Sequence, residues 1–291
     1  MKAQKYIVAG HVFELCMNDD DPRWDLLANY LPFLTACGCE PLFSLRVVER
    51  LPEESLTMLL AGDSEDPGMP RLTIFRSDSG YRIDMSPTQS APVCGRLSLN
   101  EDYSSGMLEI LDSASRFAID NALMLMYAFR TSVLHTLELH ASVVVRDGLA
   151  RMFLGVSGAG KSTHSRMWIE NLPGSELLND DNPIVRVLPD GSVRIYGSPW
   201  SGKTSCYRNE DAALSAFVSI KKAPYNKISR QDLIEAYSSI YSSCSGFRAD
   251  VKMADGIHST IEALVTSVPG FVLECLPDAE AAKVCLDGTG N

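Results

Sequence analysis

The sequence predicts an α/β protein with α+β character, in which a β-rich N-terminal domain precedes a domain built on a mixed sheet. Short strand-like runs follow one another through residues 1–111, and a long helical pattern then begins. A glycine-rich segment at residues 155–163 lies between an apolar run and a helical pattern. An Asp-Gly pair at residues 147–148 separates that apolar run from a preceding one. These last two features predict an antiparallel hairpin that leads into a tight turn and a helix.

The first 111 residues have the pattern of a domain made mostly of strands. Ser-Asp-Ser-Gly at residues 77–80 is a hairpin signal, and the acidic residues around two prolines at 62–70 predict a solvated loop. The three aspartates before Pro22 favour a loop that enters a helix over a metal site. Strands are predicted at residues 5–16, 42–48, 56–60, 71–75, 81–85, 93–99 and 107–111.

The charge balance indicates which partners to expect. The chain has 291 residues, enough for two domains or one large one, and its formal net charge is −11. An acidic surface repels phosphate backbones and anionic lipids, so neither nucleic acid nor a membrane is expected as a partner. No apolar run approaches the length of a membrane span, and no charged-then-apolar leader precedes Tyr6.

The cysteines indicate a reducing compartment. The eight cysteines form no C-x-x-C motif, and Cys37-Gly38-Cys39 lacks the second half of a zinc site. The simplest interpretation is a cytoplasmic protein with buried, reduced thiols and no disulfide framework.

A long helix is predicted to connect the two domains. Its apolar residues between 112 and 139 are too dense for one narrow stripe, so the helix should be largely buried. We place the domain boundary at its start, with a β-rich domain of unknown function at residues 1–111 and a nucleotide-binding domain at residues 112–291. In the second domain, strands are predicted at residues 140–145, 152–154, 176–178, 184–188, 193–196, 214–221 and 271–275, and helices at 162–172, 230–243 and 250–267.

The glycine-rich segment fits G-x-x-x-x-G-K-[ST], the P-loop pattern, and a predicted strand and helix flank it as that motif requires. In such a loop, backbone N–H groups bind phosphate oxygens, the lysine reaches the outer phosphates and the following hydroxyl ligates Mg²⁺. The segment therefore predicts a site for ATP and Mg²⁺. Its candidate residues are Gly155, Ser157, Gly158, Ala159, Gly160, Lys161, Ser162 and Thr163.

Two further segments supply polar groups that this site would need. Asp180 and Asp181 follow a short predicted strand, where one carboxylate could hold the metal and the other accept a proton from an attacking hydroxyl. The alternative is an ordinary polar turn before Pro183. The loop at residues 197–204 holds Trp200 and Lys203, and it either closes over the nucleotide or forms an ordinary surface loop.

Together, these segments resemble the HPr serine kinase/phosphorylase family, whose catalytic domain shares a fold with phosphoenolpyruvate carboxykinase. The resemblance covers about residues 138–205, while residues 197–203 and 273–278 are similar to a branch of HPr-kinase-related proteins with mostly unassigned substrates. The N-terminal part does not match that of true HPr kinases, and the family's arginine- and glycine-rich signature is missing after the acidic pair. The residues that carry the resemblance are His140-Ala141-Ser142, the Asp-Gly hairpin, the glycine-rich segment and Asn179-Asp180-Asp181.

The resemblance implies a role for each matched residue. Lys161 would hold the β and γ phosphates, and Ser162 and Asp180 would hold the metal. Asp181 would be the base that activates a serine hydroxyl, with His140 beside the acidic pair to tune it. Lys203 could replace the missing arginine as the group that neutralises charge on the transferred phosphoryl.

The leading hypothesis is an ATP-dependent kinase that transfers the γ-phosphate to a hydroxyl of a protein, peptide or small molecule, in particular a serine. A nucleotide-binding sensor without phosphotransfer is the alternative, with the N-terminal part as its reader. Phosphoenolpyruvate carboxykinase chemistry is a third possibility, which rests only on shared fold. The acceptor, the choice between ATP and GTP, reverse phosphorolysis and assembly as a homo-oligomer stay open.

Overall fold

The computed structural model describes residues 1–111, 114–202 and 204–290. It is a mixed α/β protein made mostly of strands, with one eight-stranded mixed sheet and a second, curled sheet. The chain divides into two compact units, Met1–Arg130 and Thr131–Asn291.

The first unit is built on the eight-stranded sheet, so the predicted β-rich character of this part of the chain is confirmed. The strand order is β1-β2-β3-β8-β7-β6-β5-β4. β3 is parallel to both of its neighbours, and the other pairs are antiparallel. The strands are β1 (Lys2–Val8), β2 (His11–Met17), β3 (Ser44–Val48), β4 (Thr57–Ala61), β5 (Arg71–Arg76), β6 (Gly80–Ser86), β7 (Gly95–Asn100) and β8 (Ser105–Ile110).

The single strand predicted at residues 5–16 is wrong, because two strands and a tight turn occupy this segment. Ala9 and Gly10 have φ values of 48° and 79°, and this left-handed pair turns the chain between β1 and β2. The predicted helix entry after Pro22 is confirmed as a short 3₁₀ helix, Pro22–Leu26, whose first turn is capped by the side chain of Asp21. A second 3₁₀ helix follows at Ala28–Phe33.

The long helix α1 (Ser115–Thr131) packs on the first sheet. A Cβ on Gly106 of β8 would lie 2.7 Å from the sulfur of Met126, so the backbone of the sheet closely approaches the helix. The hydroxyl of Tyr127 also donates to the carbonyl of Val8 at 3.0 Å. These contacts group α1 with the first unit, whereas the boundary predicted at residue 112 assigns it to the second.

The predicted end of this helix at residue 139 is wrong. A 3₁₀ turn, Ser132–Leu134, follows α1, and His135 then adopts a left-handed φ of 50°. The next residues are not helical. They form the buried strand β9 (Thr136–Glu138), which pairs with another strand of the second sheet. Tertiary pairing thus overrides local helical pattern here. The predicted helix start at residues 112–113 lies outside the described residues.

The second unit contains the curled sheet. Its main path has the order β12-β10-β11-β15-β14-β13-β9, while β17 pairs with both β15 and β16. The predicted antiparallel hairpin is confirmed as β10–β11, and β11 is parallel to β15 on its other side. The remaining strands are β10 (Ala141–Arg146), β11 (Leu149–Leu154), β12 (Glu176–Asp181), β13 (Ile184–Val187), β14 (Val193–Tyr196), β15 (Asp211–Lys222), β16 (Lys227–Arg230) and β17 (Gly270–Cys275).

Four helices complete the second unit in the part of the chain that is described. α2 (Lys161–Asn171), α3 (Leu233–Ser243) and α4 (Val251–Ser267) confirm the three predicted helices, although α3 begins three residues later than expected because β16 precedes it. The C-terminal helix α5 (Ala279–Thr289) was not predicted. α2 and α5 share an apolar core with β11 and β15, centred on Phe153 and Trp168.

The prediction that the cysteines are reduced is wrong for two of the eight. A disulfide joins Cys37 to Cys39, whose Cα atoms are 5.3 Å apart, within the usual range for such bonds. The other six cysteines are free, and four of these are buried. Among the helices described, none has the length and apolar composition needed to cross a bilayer.

Candidate functional site

The glycine-rich turn connects the C-terminal end of β11, an inner strand of the second sheet, to α2. Gly158 and Gly160 have φ values of 74° and 110°, which residues with a Cβ rarely adopt. The N–H of Ala159 closes the turn by donating to the carbonyl of Val156 at 3.0 Å. The helix begins directly afterwards at Lys161. The N-terminal end of a helix that follows a glycine-rich turn favours an anion at this position.

Lys161 is a buried cation that lies against the turn. Its side chain is 8% exposed, and Nζ donates to the carbonyls of Gly155 at 2.8 Å and Val156 at 3.4 Å. Burial lowers the pKa of Lys161, while the nearby charges of Asp181 and Asp180 oppose this shift. The ammonium group therefore lies between the turn and the acidic pair.

Two buried hydrogen bonds order α2 below this turn, one within the helix and one to β10. The indole Nε1 of Trp168 donates to Nε2 of His164 at 3.0 Å, and burial lowers the pKa of His164 to about 4, so a neutral ring accepts this bond. The hydroxyls of Ser142 and Ser165 are 2.6 Å apart and connect β10 to α2. Packing thus fixes the start of the helix relative to the strand that pairs with the acidic residues.

The acidic pair ends β12, which is antiparallel to β10. Asp180 lies opposite Ser142 and Asp181 opposite Ala141. Nδ1 of His140 is 2.9 Å from Oδ1 of Asp181, as the resemblance implied. Asp181 has a φ of 157°, an uncommon conformation for a residue with a side chain and one that recurs at functional sites. The Asp180 residue is 5% exposed, whereas the Asp181 side chain is 33% exposed and accessible to a ligand.

A buried polar network holds the following loop against the acidic pair. Nδ2 of Asn179 donates to Oγ of Ser198 at 3.1 Å and to the carbonyl of Trp200 at 3.2 Å. The N–H of Gly202 then donates to the carbonyl of Asp180 at 2.8 Å. Residues 198–202 therefore lie beside the site. The predicted role of Lys203 lies outside the described residues.

Asn179 and Ser198 are functional candidates that received no individual role from the sequence. Both are fully buried, and Oγ of Ser198 also donates to the carbonyl of Asn182 at 2.6 Å. Asparagine and serine in polar segments are typical of turns, so only burial distinguishes these two residues from ordinary turn residues.

Glu138 is a further buried acid near the site that the sequence did not single out. It is 1% exposed, its Oε1 accepts from Oγ of Ser245 at 3.3 Å, and Oε2 has no hydrogen-bond partner among the residues that the structure describes. Burial raises the pKa of Glu138 to about 8. The hydrogen bond from Ser245 lowers this pKa, and the negative charge of Asp181 raises it further. The side chain is therefore mainly protonated at neutral pH and adds little negative charge beside Asp181.

Most of the predicted site residues line one cavity of about 450 Å³. Gly155 and Ala159 do not line this cavity: Gly155 binds Lys161 through its carbonyl, and Ala159 faces a neighbouring cavity. The predicted residues that line it are His140, Ser157, Gly158, Gly160, Lys161, Ser162, Thr163, Asp180 and Asp181.

The neighbouring cavity, of about 600 Å³, shares Gly158, Gly160 and Thr163 with the first. Apolar residues form much of the rest of its wall, with Lys222 as its charged member. The apolar residues include Ile220, Pro224, Leu276 and Pro277. A polar cavity joined to an apolar one at a glycine-rich turn offers separate subsites for the charged and the flat part of one ligand.

The described residues offer few side-chain ligands for a divalent cation at this site. Within residues 1–111, 114–202 and 204–290, no group of three or more His, Cys, Asp or Glu side chains could hold a metal. Ser162 and Asp180 line the same cavity and supply one hydroxyl and one carboxylate. This donor set fits Mg²⁺, which binds proteins through one or two carboxylates and completes its shell with water and phosphate oxygens.

No protein-family model and no curated protein matched the chain.

Proposed function

We propose that the protein is an ATP-dependent kinase that transfers the γ-phosphate to a hydroxyl, with a serine of a protein or peptide as the acceptor. The observation that carries this proposal is the placement of Lys161, Ser162, Asp180 and Asp181 around one cavity. A nucleotide-binding site alone requires the turn and the lysine. An exposed carboxylate beside them adds what a kinase needs, a proton acceptor for the attacking hydroxyl.

The strand pairing around the glycine-rich turn supports this proposal. The strand before the glycine-rich turn pairs antiparallel with the preceding strand and parallel with β15, within a curled mixed sheet. Ordinary P-loop NTPases reach this strand through a parallel crossover. We therefore propose the HPr kinase and phosphoenolpyruvate carboxykinase type of nucleotide-binding fold for the second unit.

In the proposed reaction, Asp181 accepts the proton of the acceptor hydroxyl as its oxygen bonds to the γ-phosphorus. The bond between that phosphorus and the β–γ bridging oxygen breaks, and ADP leaves. His140 holds the Asp181 carboxylate through the 2.9 Å contact, and Lys161 together with the N–H groups of the turn binds the phosphates. Ser162 and Asp180 would hold Mg²⁺, which supplies further positive charge to the phosphate oxygens when bound.

The apolar cavity is the proposed subsite for the nucleotide base. It adjoins the turn at Gly158, Gly160 and Thr163, where the phosphates would lie. Pro224 and Pro277 offer flat apolar surface to a planar ring.

The test is incubation of the protein with γ-labelled ATP and Mg²⁺, with and without a serine-containing peptide library and cell lysate. Asp181→Asn and Lys161→Ala are assayed in parallel, and equilibrium binding of a non-hydrolysable ATP analogue is measured for each. We expect label on a discrete acceptor, lost in both variants, with binding retained in Asp181→Asn. Binding of the analogue with no transfer to any acceptor would favour the sensor function, and loss of binding in Asp181→Asn would make that residue structural.

A further inference from the structure

The edge strand β4 of the first unit is unusually apolar for a strand that borders solvent. All five of its residues are exposed, and β4 is the last strand in the order of its sheet, so no neighbouring strand covers its outer side in the part of the chain described. The exposed fractions of Met58, Leu59 and Leu60 are 60%, 46% and 49%, and that of Leu56, just before the strand, is 43%. Natural edge strands usually lack such apolar sequences, because an exposed apolar edge pairs with strands of other chains.

Leu60 also ends a row of core residues that crosses the sheet. Cross-strand pairing aligns it with Ile74, Ile83, Leu97 and Leu108 on successive strands. The last three are fully buried and Ile74 is 6% exposed, whereas Leu60 is 49% exposed. The row is therefore covered over most of its length and open at β4.

The position of α1 explains why the row is open at this end. Cβ atoms on Gly95 of β7 and Gly106 of β8 would lie 2.8 Å from Ala118 and 2.7 Å from Met126 of α1, respectively. These glycines lie two residues from Leu97 and Leu108 and therefore on the same face of the sheet. The helix thus covers β7 and β8 on the face that carries the row.

Both faces of β4 are apolar. Met58 pairs with Phe75 and Leu60 with Ile74, which are adjacent residues of β5 and so lie on opposite faces. The extra residue between them, Leu59, forms a bulge. An added strand would extend the sheet and cover apolar side chains on both of its faces.

Charge decides which occupant fits. Glu53 and Glu54 precede β4, and Asp63, Glu65 and Asp66 follow it. In a second copy of this chain, antiparallel pairing of β4 with β4 would place the acids before one strand beside those after the other, and parallel pairing would place identical acids side by side. Either arrangement brings like charges together, which is unfavourable for cross-strand neighbours.

We propose that β4 is a docking site for an extended peptide segment of a different protein, which adds as a strand and has apolar residues between basic flanks. Main-chain hydrogen bonds to the open edge would supply affinity, and Met58 and Leu60 would select apolar side chains. Lysine or arginine at the ends of the segment would face the acids on both sides of β4. This proposal does not depend on the proposed kinase activity.

The test is a selection of displayed random peptides of about ten residues, long enough to span one strand, on the full chain. The double variant Met58→Gln/Leu60→Gln serves for counter-selection, and neutral glutamine changes no charge. Ile234→Gln is the matched control, because Ile234 is an exposed aliphatic residue of the second unit, at 81% exposure. Circular dichroism checks that each variant is folded.

We expect enriched peptides to alternate apolar residues between basic ends. The dissociation constant of a synthetic representative should rise at least about tenfold for the double variant and stay unchanged for Ile234→Gln. Replacement of its basic residues by glutamate should weaken binding similarly, and bound peptide should slow amide hydrogen exchange in residues 56–61. No enrichment over the double variant, or ligands without basic flanks, would overturn the proposal. A dimer in sedimentation velocity that dissociates in the double variant would identify a second copy as the occupant instead.

Discussion

At the scale of single residues, the site contains a cation, Lys161, near an anion, Asp181, and each of them contacts a different partner. Lys161 donates to two carbonyls of its own turn, while Asp181 contacts His140. A bound polyphosphate would compete with those neutral carbonyls for the ammonium group, because bonds between charged groups are the stronger ones. The arrangement therefore suits a ligand that brings its own negative charge.

Replacement of Lys161 by methionine should weaken binding of a non-hydrolysable ATP analogue by about tenfold to a hundredfold, the loss expected for one charged hydrogen-bonding group. Isothermal titration calorimetry measures this change. Arg166→Met on the exposed side of the same helix is the control, since that side chain is 63% exposed and pairs with Glu170. Equal effects of the two substitutions would contradict a specific role for Lys161.

Glu138 should make stability depend on pH. Its folded pKa of about 8 lies above the ordinary value of 4.5, so the folded state binds more protons between these values. Below the ordinary pKa of 4.5, the stabilising contribution of protonated Glu138 is fully present. As pH rises from there to the folded pKa of about 8, the free energy of unfolding falls by up to about 1.4 kcal/mol per pH unit.

Glu138→Gln keeps the shape of the side chain and cannot ionise. Urea unfolding at several pH values should therefore show a smaller loss of stability from pH 5 to pH 9 in this variant than in the original protein. His164, whose pKa is lowered to about 4, affects only the acid side of the profile in both proteins. Identical slopes above pH 6.5 would mean that Glu138 does not carry the effect.

At the scale of elements, the acidic pair depends on a loop distant in sequence. Asn179 joins the end of β12 to Ser198 and Trp200, and its Oδ1 accepts from the N–H of Asn182 at 3.0 Å. A buried network in which one side chain satisfies several partners loses more than one bond when that side chain is removed.

Asn179→Ala should lower the free energy of unfolding by about 1–3 kcal/mol. It should also slow phosphoryl transfer with little change in nucleotide affinity, because it displaces Asp180 and Asp181 without touching Lys161. Asn171→Ala on α2 is the comparison, since that half-buried side chain donates to one carbonyl of its own helix. Transfer at the original rate in the Asn179 variant would exclude this positioning role.

Local patterns predicted elements well where one residue type determines the backbone. The Asp-Gly turn marked the β10–β11 hairpin, and the glycine-rich segment marked the start of α2. The patterns failed between residues 131 and 139, where a helix-compatible sequence pairs as β9 instead. Strand pairing depends on contacts between distant segments, and the sequence of a short segment does not indicate which strand it pairs with.

At the scale of the whole molecule, the predicted phosphate-site residues and both cavities lie in the second unit, Thr131–Asn291. Nucleotide binding should therefore slow amide hydrogen exchange most in the turn, α2 and β12, because a ligand stabilises the state that binds it. Mass spectrometry with and without an ATP analogue checks this expectation, and Lys161→Met is the control. Protection that is largest in β1–β8 would place the binding site elsewhere.

The residues of the candidate site could be selected from the sequence because a glycine-rich turn, a lysine and an acidic pair form a pattern of local backbone geometry and residue type. The tertiary structure determined which groups meet: it placed His140 on Asp181, brought residues 198–202 to the acidic pair and buried Glu138 beside it. It also left the apolar row open at β4, which the apolar sequence of that strand did not reveal. Burial and proximity arise from contacts between distant segments, and these depend on how the entire sheet pairs and packs.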